Sequence, residues 1–177
     1  MRIVGGRFRS RALRAPKGVR TRPTTDRVKE ALFSTLTSCL DFSGLLVLDL
    51  YAGTGALGLE ALSRGAQRAI FVESDREALR AIEHNVGTLG VAAETQIVSS
   101  LVERARLRGP FDLVFADPPY ELVKDGTFRK VWAGLGLQGG ILVLEHSSRD
   151  PAPDLPGRQV VSAKVYGDSA LTIYKPE

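Results

Sequence analysis

The sequence contains few of the residues that crosslink a chain or bind a structural metal. Its 177 residues include one cysteine, Cys39, and two histidines, His84 and His146. One cysteine cannot form an internal disulfide, and these three residues do not have the spacing of zinc ligands. We therefore expect a fold that depends on neither a disulfide nor a metal.

Long apolar runs are absent as well. No stretch approaches the roughly 20 apolar residues that span a bilayer, and the basic N-terminus lacks the apolar centre of a signal peptide. We therefore expect a cytoplasmic protein. A chain of 177 residues, 44% of them hydrophobic, can bury the core of one domain, and we expect it to be a monomer.

Positive charge is concentrated in the first 30 residues. They contain ten lysines and arginines but only two acidic residues, a local net charge of +8. The whole chain carries +4, so the remaining residues carry −4. A basic segment on an acidic body indicates contact with a polyanion; a solvated tail that only aids solubility is the alternative. Residues 2–13 alternate in part and contain Gly5-Gly6, which predicts a short pair of strands with a turn.

Beyond residue 23, helical and strand patterns alternate. Apolar residues at three- and four-residue steps predict a first helix over residues 25–40, with Cys39 on its buried face. Short apolar, partly β-branched runs predict buried parallel strands at residues 45–49, 69–73, 95–99, 111–116 and 141–145. Between and after them we predict helices at residues 56–64, 76–89, 102–108 and 126–135, and a terminal hairpin at residues 159–165 and 171–174. This alternation predicts an α/β domain with a doubly wound sheet.

A glycine-rich turn follows the first predicted strand. In D-L-Y-A-G-T-G-A-L-G-L-E, residues 49–60, Gly53, Gly55 and Gly58 match the G-x-G-x-x-G pattern, and Glu73 lies 20 residues after Gly53. The glycines let the backbone approach a ligand, and Glu73 can accept hydrogen bonds from two ribose hydroxyls. Spacing alone allows a nicotinamide dinucleotide, and a structural turn without a ligand is another alternative.

Asp49 distinguishes between possible cofactors. A carboxylate four residues before Gly53 would disfavour a pyrophosphate and favour a molecule that carries ammonium and sulfonium groups. S-adenosylmethionine has both of these groups and no phosphate. A role for Asp49 as a cap of the following helix stays open.

The tetrapeptide D-P-P-Y, Asp117 to Tyr120, follows the fourth predicted strand, which ends beside the first strand in this topology. An exocyclic amine on a nucleobase is a poor nucleophile because its lone pair is delocalised into the ring. Asp117 can accept one hydrogen bond from the amine, the carbonyl of Pro118 can accept the other, and Tyr120 can stack on the base. The rigid prolines hold these acceptors, so proximity and orientation would supply most of the acceleration. An acidic turn with an aromatic cap is the structural alternative.

These motifs together resemble the class I methyltransferases that modify exocyclic amines, and the resemblance extends along nearly the whole chain to a narrower family. The opening R-I-V-G-G-R-F-R-S-R-A-L, the segment R-T-R-P-T-T-D-R-V-K-E-A-L-F at residues 20–33 and the closing Y-G-D-S-A-L-T-I-Y are similar to the bacterial RsmD-type enzymes. Those enzymes methylate N2 of a guanine in 16S ribosomal RNA. The region around Arg22-Pro23-Thr24 narrows the assignment, because the cofactor motif and D-P-P-Y are shared with other methyltransferases.

The resemblance implies a Rossmann-like class I methyltransferase fold, residues 24–177, with a mostly parallel seven-stranded sheet and an antiparallel C-terminal hairpin. A basic RNA-contacting arm, residues 1–23, would precede it. The implied cofactor is S-adenosylmethionine, held by Asp49, Tyr51, Gly53, Gly55, Gly58, Glu73, Ser74 and Ser100. Ser99 and Ser100 stand where many class I enzymes carry an acid that binds the adenine amine. The target base would be held by Asp117, Pro118, Pro119 and Tyr120.

The resemblance also gives the basic arm a role. A guanine in folded RNA must be unstacked before its amine can enter a pocket, and arginine contacts to phosphates can hold the RNA during that step. The candidates for such contacts are Arg7, Arg9, Arg11 and Arg22. The implied substrate is a small ribosomal subunit, partly or fully assembled, whose proteins could contribute to docking.

Three other functions stay open at this point. D-P-P-Y would bind the N6 amine of an adenine in RNA or DNA equally well. A nicotinamide-dependent oxidoreductase fits the glycine pattern but not Asp49, nor a short chain without a second mononucleotide-binding half. A non-enzymatic RNA-binding module is the third alternative, and failure to bind S-adenosylmethionine would reveal it.

Overall fold

A computed structural model describes residues 1–16 and 26–177. In these residues one sheet contains the strands β1 (Leu46–Leu50), β2 (Arg68–Glu73), β3 (Thr95–Ser99), β4 (Leu113–Ala116), β5 (Ile141–Ser147), β6 (Arg158–Tyr166) and β7 (Ser169–Pro176). The α-helices are α1 (Asp26–Thr37), α2 (Ala56–Ser63), α3 (Arg76–Leu89), α4 (Tyr120–Lys124) and α5 (Thr127–Leu135). No helix in these two ranges is long and apolar enough to cross a membrane.

The strands lie in the order β3-β2-β1-β4-β5-β7-β6. The first five strands pair in parallel, whereas β7 pairs antiparallel with both β5 and β6. The strand order reverses between β1 and β4, and such a reversal opens a crevice at the carboxyl ends of the strands. The predicted doubly wound α/β sheet with an antiparallel C-terminal hairpin is confirmed.

Apolar side chains cover both faces of the sheet. One core cluster joins residues of α1, α2 and α3 to Phe71 of β2 and Phe115 of β4. The other contains Phe128 and Trp132 of α5, packed with residues of β1, β4 and β5. Phe128 and Trp132 are both buried, so both belong to the core. The crevice therefore stands on a rigid, close-packed support.

Three local features differ from the sequence predictions. Helix α1 ends at Thr37, so Cys39 lies beyond the helix and is exposed, and the prediction that it is buried is wrong. The helix predicted at residues 102–108 is only a 3₁₀ turn, Val102–Arg104. Beyond it Ala105 and Leu107 pack against the core at a two-residue step, which does not match the period of an α-helix. Helix α4 has five residues and begins inside D-P-P-Y, too short a segment for its periodicity to be detected.

The N-terminal arm forms a hairpin-like loop that packs against the domain. One antiparallel bridge joins Arg2 to Ala12, which is the predicted strand pair in its shortest form. Ile3 and Leu13 are buried in the same core cluster as residues of α1 and α2. The arm thus shares the core of the domain as far as residue 16. The predicted boundary after residue 23 lies outside the described residues, and the division into two parts stays a prediction.

Glu60 of α2 holds this arm in place. Its buried carboxylate accepts hydrogen bonds from the backbone N–H groups of Val4 and Gly5, each at 2.8 Å, and from Nε of Arg64 at 3.0 Å. The buried ammonium of Lys29 lies 3.7 Å from Glu60 and donates to the carbonyl of Arg2. Burial lowers the pKa of Lys29, and the charge of Glu60 opposes that lowering. Each buried charge therefore has a counter-charge and hydrogen bonds, as charges in a protein interior require.

We expect the substitution Glu60→Ala to lower the free energy of unfolding by about 3–5 kcal/mol, because it leaves Lys29 buried without a counter-charge and removes the acceptor of two backbone amides. Urea denaturation measures the loss. Glu83→Ala, at an exposed position of α3, is the matched control and should change the free energy by less than about 0.5 kcal/mol. Equal effects of the two substitutions would show that the arm does not depend on Glu60.

Candidate active site

A cavity of about 640 Å³ opens at the carboxyl ends of the parallel strands. Its lining includes a residue from the end of each of the first five strands: Gly53, Glu73, Ser100, Asp117 and Glu145. Its volume falls within the range of about 300–1,000 Å³ that is usual for pockets that bind small molecules and cofactors. The cavity lies at the edge where the sheet topology predicts a ligand.

The turn after β1 depends on its glycines. Gly53 and Gly55 have φ angles of 56° and 74°, in the left-handed region that favours glycine. At Gly58 the restriction is space, because a Cβ atom there would lie 2.4 Å from Cε1 of Phe71. Gly53 lines the cavity, whereas Gly55 and Gly58 support it by letting α2 pack closely against β2.

Glu73 lies at the end of β2 with its carboxylate fixed by backbone amides. Oε2 accepts from the N–H of Gly53 at 2.8 Å, and Oε1 accepts from Ser74 at 2.7 Å and Asp75 at 2.9 Å. A carboxylate has about four acceptor sites. Oε2 therefore retains one site for a ribose hydroxyl, and the second hydroxyl predicted for Glu73 requires one amide bond to give way.

Asp49 lies behind the glycine turn and is almost fully buried. Its Oδ2 accepts a hydrogen bond from the N–H of Gly58, in the first turn of α2, at 2.9 Å. Burial raises the pKa of Asp49 to about 8; the charge of Glu73 adds to the rise and the bond from Gly58 opposes it. Asp49 thus has the helix-capping role that was one of its two predicted roles. Its role toward a cofactor stays a prediction that this capping bond does not prevent.

Tyr51 provides the test of whether a cofactor fits this wall. Its φ angle of 57° is unusual for a bulky residue, the residue lines the cavity, and its ring packs against Phe128. Its hydroxyl is buried and has no hydrogen-bond partner among the residues that the structure describes. Burial raises the pKa of Tyr51 to about 12, and the charge of Glu103 adds to the rise, so the hydroxyl stays protonated. A strained backbone and an unsatisfied hydroxyl at a cavity wall fit a bound ligand.

Ser74, directly after β2, and Ser100, directly after β3, both line the cavity, and their contacts with a cofactor stay a prediction. The N–H of Ser100 donates to the carbonyl of Glu73, and its hydroxyl donates to the carbonyl of Leu101, both at 2.9 Å. Glu103, three residues further along, also lines the cavity. A carboxylate therefore lines the cavity three residues beyond Ser100, displaced from the position directly after the strand where many class I enzymes carry an acid.

The D-P-P-Y segment forms the opposite wall, and all four of its residues line the cavity. Pro118 is buried, and Tyr120 begins α4. The hydroxyl of Tyr120 lies 2.6 Å from Oγ of Ser169, at the start of β7, and 3.4 Å from Oε1 of Glu145. These contacts hold the tyrosine ring in the wall beside Asp117, as stacking on a base requires.

The charged residues that line the cavity, among those that the structure describes, are all acidic. Of the described residues that line it, five are acidic and none is a lysine or arginine; the acids are Glu73, Asp75, Glu103, Asp117 and Glu145. Burial raises the pKa of Asp117 well above its usual range, and the charges of Glu145 and Asp49 raise it further. Such a group of carboxyls repels a pyrophosphate and stabilises a cation.

Glu145 is a cavity residue that no sequence motif indicates. It is only 6% exposed, and it follows Leu144, whose partner in the register with β4 is Ala116. Asp117 and Glu145 therefore occupy neighbouring positions just beyond this pair, where side chains of parallel strands point to the same side. The missing information was the register of β4 with β5, which hydrophobic periodicity does not provide.

The structure does not bring the arm's arginines to the cavity. Arg7 forms an ion pair with Glu94, which directly precedes β3 at the amino edge of the sheet. Arg11 donates to the carbonyl of Thr88, near the end of α3, at 3.1 Å, and Arg9 is exposed. Arg22 lies outside the described residues. Contact between these arginines and RNA stays a prediction. Arg7 would have to contact RNA at the amino edge of the sheet, opposite the cavity.

Known proteins resemble this chain along nearly its whole length. A family model described as "Conserved hypothetical protein 95" matches residues 1–175. The protein YlbH of Bacillus subtilis is 36% identical, with 99% of this chain and 98% of YlbH covered. Ribosomal RNA small subunit methyltransferase D of Escherichia coli (strain K12) is 33% identical, with 100% and 90% covered. A solved structure of the Escherichia coli protein yhhF has a TM-score of 0.85 and 34% identity, with 100% and 98% covered.

The strand order, the antiparallel hairpin and the cavity at the reversal between β1 and β4 define a class I methyltransferase fold. Enzymes of this class take their methyl group from S-adenosylmethionine, and the acidic wall with Tyr51 and Glu73 fits that cofactor. Within the class, the chain belongs to the RsmD-type methyltransferase family. The resemblance seen in the sequence motifs is confirmed.

Proposed function

We propose that this protein transfers a methyl group from S-adenosylmethionine to the exocyclic N2 amine of a guanine in small-subunit ribosomal RNA. The observation that carries the proposal is the acidic cavity with two different walls, one suited to a cationic cofactor and the other, D-P-P-Y, suited to a planar amine. The relative named ribosomal RNA small subunit methyltransferase D supports the choice of RNA as substrate.

Residues after β1 and β2 would hold the cofactor. When bound, S-adenosylmethionine supplies a methyl group on a positively charged sulfur. Glu73 offers an acceptor site for a ribose hydroxyl, Tyr51 offers a protonated hydroxyl, and Asp49, when ionised, supplies negative charge behind the turn. Ser74, Ser100 and Glu103, which line the same cavity, would contact the adenine ring.

Asp117, Pro118 and Tyr120 would hold the target amine. Asp117 and the carbonyl of Pro118 each accept one N–H of the amine, which directs the nitrogen lone pair toward the methyl group, while Tyr120 stacks on the ring. Because its pKa is raised, Asp117 is also suited to accept the proton that the amine loses. No covalent enzyme intermediate is required, and the acceleration comes from orientation within a rigid wall.

The product nucleoside tests the proposal. The protein is incubated with methyl-labelled S-adenosylmethionine and small ribosomal subunits that lack their native methylations, and the RNA is then digested to nucleosides. We expect the label in N2-methylguanosine. Label in N6-methyladenosine would preserve the account of the pocket but overturn the guanine assignment. Intact cofactor binding without any label would point to a protein that only binds RNA or to a different substrate.

A further inference from the structure

Glu145 gives the target-base wall a second carboxylate that D-P-P-Y does not contain. It stands beside Asp117 at the carboxyl edge of the sheet, lines the same cavity and is 6% exposed. Pro118, whose carbonyl is the second acceptor proposed for the amine, lines the same cavity. The groups that face a base in this part of the cavity are therefore mainly hydrogen-bond acceptors.

The Watson–Crick edges of guanine and adenine match such a wall very differently. Guanine presents N1–H beside its N2 amine, so two neighbouring atoms are both donors. Adenine presents its N6 amine beside N1, which is an acceptor. Two carboxylates side by side therefore complement guanine, whereas adenine would place its N1 lone pair against a carboxylate oxygen.

We infer that Glu145 accepts the N1–H of the target guanine and thereby makes the pocket select guanine over adenine. This inference rests on the proposed function. D-P-P-Y binds only the amine, which guanine and adenine share. The discriminating group must touch the neighbouring ring atom, and Glu145, one strand further along the sheet, is placed to do so.

Tyr120 contributes to this recognition by orienting the carboxylate. Its hydroxyl lies 3.4 Å from Oε1 of Glu145 and is itself held by Ser169 at 2.6 Å. This contact connects Tyr120, which stacks on the base, to Glu145, which accepts the N1–H of the base. A carboxylate held in this way loses little further freedom when it binds the base.

The experiment compares two target bases with the same N2 amine. 2,6-Diaminopurine has that amine, but its N1 is an acceptor without a hydrogen. Small-subunit ribosomal RNA is assembled by ligation so that the nucleotide methylated by the wild-type protein is either guanosine or 2,6-diaminopurine riboside. Each RNA is then reconstituted into subunits. For the wild-type protein we expect kcat/KM to be about 10- to 100-fold higher with guanosine, because the analogue places the lone pair of its N1, instead of an N1–H donor, against the carboxylate oxygen of Glu145.

The substitution Glu145→Gln should lower the ratio of kcat/KM with guanosine to kcat/KM with the analogue by at least about tenfold. The glutamine amide can donate to the N1 acceptor of the analogue and can still accept from Tyr120. The comparison of variants also cancels the other difference between the bases, at position 6 of the ring. Glu121→Gln, an exposed residue of α4 outside the cavity, is the matched control and should keep the wild-type ratio. An equal kcat/KM of the wild-type protein with both bases would overturn the inference. It would also be overturned if Glu145→Gln lowered kcat/KM equally with both bases, because Glu145 would then only position Tyr120.

The product from unmodified RNA separates this failure from failure of the proposed function. N2-methylguanosine formed by a protein that treats both bases alike would refute the role of Glu145 alone. N6-methyladenosine would refute the role of Glu145 together with the guanine assignment.

Discussion

Replacement of Asp117 with asparagine is expected to lower kcat/KM for methyl transfer by about 10²- to 10³-fold, a loss typical of removing one charged hydrogen-bonding group from an active site. Asparagine keeps the shape of the side chain and one oxygen acceptor. It loses the charge that strengthens the bond from the amine and the capacity to take up a proton. Affinity for S-adenosylmethionine should persist, because the cofactor wall lies after β1 and β2. Kinetics on small subunits and calorimetric titration of the cofactor measure the two effects.

The same substitution should stabilise the fold at neutral and alkaline pH. The pKa of Asp117 is raised on folding, so its contribution to stability is fully present below its ordinary pKa of 3.8 and is lost as the pH rises toward the raised value. A tenfold change in the dissociation constant corresponds to about 1.4 kcal/mol, and asparagine removes this penalty. We expect a higher Tm than wild type at pH 8 and a difference that shrinks toward pH 4.

Asp41→Asn, at an exposed aspartate before β1, is the control and should change neither activity nor the pH dependence of Tm. Loss of activity together with loss of cofactor binding in Asp117→Asn would assign Asp117 a structural role. Full activity would remove it from the chemistry.

Within the sequence, the parts of the site that lie on one continuous segment were predictable. The glycine turn and D-P-P-Y each follow a strand whose apolar run is visible in the sequence, so Glu73 and Asp117 could be assigned to the same sheet edge before the structure was known. The length of α3 was predicted residue for residue because Asp75 caps its start, Gly90 ends it, and its apolar residues recur with helical period.

The parts of the site that depend on register or on long-range contacts were not predictable in this way. Glu145 is recognisable as a site residue only after Leu144 is paired with Ala116. Glu60 looks like an ordinary helix residue until Val4 and Gly5, more than 50 residues earlier, donate their amides to it. The packing of the basic arm was unpredictable for the same reason, since only the structure shows that Ile3 and Leu13 contribute to the core, while the RNA contact that its charge indicates stays a prediction.

Replacement of Asp49 with asparagine is expected to weaken the binding of S-adenosylmethionine by about tenfold at pH 9, because it removes a buried negative charge from behind the cofactor wall. The pKa of Asp49 is raised to about 8, so in the free protein the carboxyl is mostly protonated at neutral pH and ionised above pH 8. A cationic ligand binds the ionised form better. Affinity of the wild-type protein should therefore rise with pH through this range, and the rise should be smaller in Asp49→Asn.

Isothermal titrations of both proteins between about pH 6.5 and 9 test this linkage. The cofactor's own amine titrates identically in both series, so the difference between the two curves belongs to Asp49. Asparagine can still accept the bond from Gly58 through Oδ1, which keeps the start of α2 in place. Superimposable plots of affinity against pH for the two proteins would mean that Asp49 only caps the helix. Diverging curves would mean that the same buried carboxyl both fixes the turn after β1 and provides the charge that favours a sulfonium cofactor over a pyrophosphate.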